Sequence, residues 1–167
     1  MKKLASRSAQ YPLFAEFAFD FNDWVVDSVD TVKKTLGSTV ANAKDPAEPG
    51  LTGPVANTIT FDCIPLPVGA VVVGGELIVE TAVTGSTAAT ITLGIAGALT
   101  TLLGSTSLMA AAGTRTALLL TSALQSAAAG NNVRATIAYT VANATAGKAR
   151  VRLLYVVDGR SNEIQVA

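Results

Sequence analysis

Histidine is absent from this chain of 167 residues. That removes the commonest general base and the commonest zinc ligand, and with them Ser-His-Asp and Cys-His nucleophilic schemes. Cysteine occurs once, as Cys63, so there is no internal disulfide, no CxxC pair and no sign of an oxidising compartment. Charge is scarce: 14% of residues carry it, against about 25% in a typical soluble domain. Lys plus Arg number 12 and Asp plus Glu number 12, for a formal net charge of zero. That balance argues against a dedicated nucleic-acid binder, which needs clustered positive charge, and against a polybasic membrane-surface protein. Long apolar runs are missing too. Stretches such as 153–157 fall far short of the ~18 residues of a membrane-spanning helix, so no membrane partner is expected. Met1-Lys2-Lys3 has the basic character of a secretion signal, but Ala5-Ser6-Arg7-Ser8-Ala9-Gln10 follows in place of an apolar stretch, so no signal is expected.

What the chain has in quantity is small and branched apolar residues. Half of it is hydrophobic, and the mean hydropathy is +0.45. The length suits one domain with a core of its own. With so little charge to dress a solitary monomer, part of the surface is expected to be covered by other subunits.

The order of these residues points to strands. Residues 1–12 are small and polar and read as an arm. From Leu13 the pattern has period two, with Phe17, Phe19 and Phe21 on one face and Glu16, Ala18 and Asp20 on the other. Residues 24–26 continue it, and a short strand is expected near 31–36. Segment 43–54 contains Pro46, Pro49, Pro54, Gly50 and Gly53 and reads as a loop. Its length marks either an unordered stretch or an interaction element.

Strands are then expected at 58–64, at 70–83 in two pieces that bend at Gly74-Gly75, and at 89–93. Residues 99–112 lack clean alternation and suggest a helical turn stopped by Gly113. A strand follows at 116–120. Ser122 and Gln125 have capping-box spacing for a short helix over 123–129. Residues 133–141 and 151–157 alternate firmly and predict a hairpin through a turn at 144–147.

The whole predicts an all-β antiparallel sandwich, jelly-roll-like, of about eight strands with one or two short helical turns. Its domain runs over 13–160, with a tail at 161–167. Phe17, Phe19, Ile59, Phe61, Leu77, Val79, Ile137, Tyr139, Leu153 and Tyr155 are the expected core.

Few motifs suggest chemistry. Asp20-Phe21-Asn22-Asp23 with Asp27 and Asp30 hints at a calcium loop. Positions six and twelve from Asp20 hold Val25 and Thr31, where an EF-hand needs Gly and Glu, so polar residues at a strand end fit better. Glu76 and Glu80 share a strand face about 13 Å apart, too far for a carboxylate pair acting on one bond. Lys148, Arg150 and Arg152 line one face of the last strand without flanking aromatics. They are expected to pair with carboxylates across strands or between subunits, with Glu76 and Glu80 as candidate partners, rather than with nucleic acid. Cys63 alternates with Ile59 and Phe61 and reads as an inert core residue. No catalytic residue, cofactor or metal is expected.

The run Cys63-Ile64-Pro65-Leu66-Pro67-Val68-Gly69-Ala70-Val71-Val72-Val73-Gly74-Gly75-Glu76-Leu77 resembles a stretch of small capsid-associated proteins of tailed bacteriophages. So do Thr145-Ala146-Gly147-Lys148-Ala149-Arg150-Val151 and Tyr155-Val156-Val157-Asp158-Gly159-Arg160. The Thr-rich strand at 89–94 and Ala112-Gly113-Thr114-Arg115-Thr116-Ala117-Leu118 sit between them in the expected order. The resemblance covers roughly residues 57–163 and carries no counterpart for the insert at 43–54.

It implies a non-enzymatic head decoration (cement) protein. Its place would be the outer capsid surface of the virion, reached from the host cytoplasm, with the major capsid protein and two further copies of itself as partners. Lys2, Lys3, Arg7, Pro46, Pro49, Pro54, Glu76, Glu80, Arg150 and Arg152 are the candidate interface. The alternatives are another virion part, such as a head fibre base, tail protein or capsid subunit, and an adhesin-type binding sandwich.

Overall fold

The computed structural model describes residues 12–29, 31, 33–37, 58–119, 132–140 and 144–157. They form β1 (Leu13–Asp20), β2 (Trp24–Val26), β3 (Lys33–Thr35), β4 (Thr58–Ile64), β5 (Ala70–Thr84), β6 (Ala88–Ile95), β7 (Ala98–Ser107), β8 (Arg115–Ala117), β9 (Val133–Thr140) and β10 (Ala146–Val157). There is no helix among the described residues.

Two four-stranded antiparallel sheets have the orders β1-β10-β5-β8 and β4-β9-β6-β7, and β2 pairs with β3 in a small ribbon. That ribbon is tied to β4 by Ser28, whose N–H and hydroxyl both donate to the Thr60 carbonyl, at 2.6 and 3.0 Å. Leaving the ribbon aside, the pairing is nested. The first strand pairs with the last (β1 with β10), the second with the second last (β4 with β9), then β5 with β8 and β6 with β7. This is the jelly roll, an all-β sandwich as the alternation predicts.

Each long strand turns one side to a shared core. Ala89, Ile91 and Leu93 on β6, Val133, Ala135, Ile137 and Tyr139 on β9, and Ala149, Val151 and Leu153 on β10 are all buried in it. Each large side chain so buried contributes about 1.5–3 kcal/mol. Of the ten expected core residues eight are buried, while Phe17 and Tyr155 are half-buried against the cluster. Phe17 lies on an edge strand, where its ring meets Phe19 at 6.0 Å and, across the sandwich, Phe61 on β4 at 5.8 Å.

Four expectations need correction. First, β9 and β10 form no hairpin: they lie in opposite sheets, and the chain crosses between layers where Ala144 N–H donates to Gly37 and Thr145 N–H to Thr84. Second, β5 is one strand through Gly74-Gly75. The bend is a bulge instead, because Leu154 faces Gly74 while Tyr155 faces Val72, leaving Val73 over. A Cβ on Gly75 would lie 2.5 Å from Leu118 Cδ1 and against the Arg152 carbonyl, so packing requires glycine there. Third, residues 98–107 are a strand, not a helical turn. Register shifts against β6 bury Leu102 and Leu103 in succession, which erases the alternation. Fourth, the strand at 116–120 is shorter and starts earlier, at Arg115–Ala117. The arm at 1–12 apart from Pro12, the loop at 43–54, the helix at 123–129 and the tail at 161–167 lie outside the described residues.

Candidate functional site

On the outer face of the β1-β10-β5-β8 sheet, alternation places charged side chains from four strands side by side. Arg152 on β10 stands between Glu16 on β1 and Glu76 on β5. Arg150 stands between Ala18 and Ile78 and reaches the carboxylates diagonally. The result is one chain of alternating sign.

Arg115 donates to Glu76 at 2.8 Å, and Glu76 lies 3.7 Å from Arg152. Arg152 Nε donates to Glu16 at 2.9 Å, and Arg150 NH1 donates to the other Glu16 oxygen at 2.6 Å. Arg150 Nε donates to Glu80 at 2.6 Å, and Lys148 lies 3.3 Å from the other Glu80 oxygen. The Glu80 carboxyl is held below its ordinary pKa by the Arg150 hydrogen bond, with Lys148 adding to it. Arg150 is correspondingly raised, chiefly by its bond to Glu80. Each carboxylate in the ladder is thus engaged by two cationic side chains. The ladder can hold a fixed pattern of charge and be recognised by it.

The other sequence candidates whose contacts the structure describes have structural roles. The Asp23 carboxylate accepts from Asp20 N–H at 2.7 Å and the Asp20 carboxylate from Asn22 N–H at 3.1 Å, closing the turn after β1. No group of three potential metal ligands occurs among the described residues. Cys63 is buried and its Sγ–H donates to the Val133 carbonyl at 3.3 Å. Burial pushes its thiol up to about 12, which disfavours the thiolate.

With the geometry in hand, the likeness to solved structures is informative. No family model matches the chain, and no curated protein matches it. Two phage capsid structures do match in fold. A chain of the cyanophage Pam1 capsid asymmetric unit superposes with a TM-score of 0.55 at 17% identity, covering 94% of this chain and 93% of that one. A chain of the capsid of Ralstonia phage GP4 superposes with a TM-score of 0.50 at 18% identity, covering 96% and 92%. At such identities the likeness is one of fold, and it runs over nearly the whole jelly roll.

The structure brings Glu76, Glu80, Arg150 and Arg152 together in one network, paired across strands within the chain. Lys2, Lys3, Arg7, Pro46, Pro49 and Pro54 lie outside the described residues. Sequence reasoning did not give Glu16 and Arg115 a place in the ladder. Their positions depend on the β1–β10 and β5–β8 registers, which join residues far apart in the chain. It also missed a buried ion pair, Lys34 Nζ to Asp27 Oδ2 at 2.7 Å, with both side chains about 95% covered. A lysine in a three-residue strand carries no signal for this.

Proposed function

We propose that this chain is a structural virion protein that sits on the outside of a phage head and cements it across capsid subunits. The observation that carries the reading is the fold match, over more than nine-tenths of both chains, to chains within two phage capsid structures. The paired carboxylates of the ladder support a structural role over a catalytic one.

The mechanism is mechanical. A jelly roll that contacts neighbouring subunits buries area only in the assembled shell, so its binding stabilises that state by mass action. In this reading the chain acts as a trimer, one of the closed rings that homo-oligomers favour. Lys2, Lys3 and Arg7 in the arm and the 43–54 loop supply contacts to the shell, and no cofactor takes part.

The test is add-back. Heads of the same particle lacking this chain should bind the purified protein in copy numbers approaching those of the capsid subunit. They should then withstand heat better than bare heads. Binding at a few copies per particle, or none, would assign the chain to a tail or fibre instead.

A further inference from the structure

The outer face of the β1-β10-β5-β8 sheet changes character at one end. Next to the row Glu16–Arg152–Glu76 comes the row Phe14–Leu154–Gly74. Phe14 is 58% exposed and Leu154 38%. Between the two rows runs a groove of about 470 Å³, floored by Gly75 and Ala117 and walled on one side by Phe14 and Leu154. That size is within the ~300–1,000 Å³ of ligand-binding clefts.

The other wall is charged and unbalanced. Two guanidiniums, Arg115 at 2.8 Å and Arg152 at 3.7 Å, share one oxygen of Glu76. The Arg115 side chain is 59% exposed and forms a single hydrogen bond, leaving most of its five donors for another acceptor. Gly75, which lines the groove, and its neighbour Gly74, beside the Leu154 wall, also differ. Gly75 is dictated by packing, but a Cβ on Gly74 would meet only Leu154, at ordinary contact distances of 3.5 Å and more. The fold does not need the hollow that Gly74 leaves beside Leu154.

We propose that this groove docks an extended segment of the capsid subunit that carries a carboxylate beside a large apolar side chain. The proposal rests on the cement reading above. The carboxylate takes the planar fork of Arg115, a geometry that favours bidentate pairing, and the apolar side chain packs between Phe14 and Leu154. A second copy of the chain fits less well. A two-fold contact through this face would set each groove's surplus guanidinium against its mate.

The test uses the full chain and heads lacking it. Arg115→Ala and Gly74→Val should each weaken head binding about tenfold or more, as loss of a central contact does. Arg115→Ala should also flatten the salt dependence. Arg134→Ala, on the outer face of the other sheet, should bind as the parent does, and both groove variants should melt like the parent. If Gly74→Val lowers the melting temperature, Phe14→Ala replaces it.

Parent-like binding by both groove variants would overturn the groove while leaving the cement reading intact. A parent protein that does not bind heads overturns that reading itself. Loss in only one variant overturns the paired carboxylate-and-apolar chemistry. A change in oligomeric mass without loss of head binding gives the groove to a second copy and overturns the proposal.

Discussion

The outer face of the β1-β10-β5-β8 sheet carries Glu16, Glu76, Glu80, Arg115, Lys148, Arg150 and Arg152 in one ladder. The outer face of the β4-β9-β6-β7 sheet carries Thr58, Thr60, Thr90, Thr92, Thr136 and Thr140, with one ion pair, Arg134 to Asp62 at 2.7 Å, among the described residues. Thr60 and Thr136 share a hydrogen bond of 2.9 Å across β4 and β9. Both faces follow the same period-two rule, and both back onto one core. The difference is in dehydration. Covering the threonine face removes hydroxyls from water, whereas covering the ladder removes charges, a much larger penalty. Among the described residues seven charged side chains gather on the ladder face, and its Phe14–Leu154 end is the part of that face least costly to cover.

The largest expected effect tests what the two sheets share. Phe61→Ala on β4 should cost about 3–5 kcal/mol and Leu153→Ala on β10 about 2–5 kcal/mol, read by denaturant melts, because both side chains are fully buried in the common core. A loss below about 0.5 kcal/mol on either sheet would mean that its inner face is not packed as described.

Next comes a charge inside the fold against charges outside it. Asp27→Asn removes the carboxylate from a buried ion pair and should cost more than any single substitution in the ladder, with little response to salt. Arg150→Met removes the centre of the ladder and should cost less than Asp27→Asn, in an amount that shrinks in high salt. Equal costs for the two, or a salt-independent Arg150→Met, would break the distinction.

Acid sharpens it further. The folded pKa of Glu80 is depressed, so its contribution is complete above the unfolded value of about 4.3 and is lost as pH falls through the lower folded value. Asp62 behaves likewise. Burial pushes it up, but hydrogen bonds from Asn132 and Arg134 and the Arg134 charge outweigh that and leave it low. Stability should therefore hold from pH 7 to about 5 and fall below about 4. Glu80→Gln should make that fall shallower, and Thr136→Val should leave it unchanged. The smallest effect is that of Thr136→Val itself at neutral pH, within about 0.5 kcal/mol.

Much of this architecture is legible in the sequence where alternation is unbroken. β4 spans 58–64 as expected, and the outward Thr90 and Thr92 follow from period two alone. Alternation fails where a bulge puts neighbours on one side, as Leu102 and Leu103 on β7. It is also silent about which sheet a strand joins. β9 and β10 each present one apolar side to the same core, so their local pattern is the same whether they pair or face each other. The nested order of the jelly roll separates them, and that order is set by long-range pairs such as β1 with β10. In the ladder, the Lys148, Arg150 and Arg152 stripe is visible along one strand. Its Glu16 and Arg115 partners exist only once the register is known.

The most direct test of the central claim is a cryo-EM reconstruction of the particle that carries this chain. The account predicts density for the jelly roll on the outer surface of the head, in contact with more than one capsid subunit. Density confined to the tail, to the shell interior or to the continuous shell itself would contradict it.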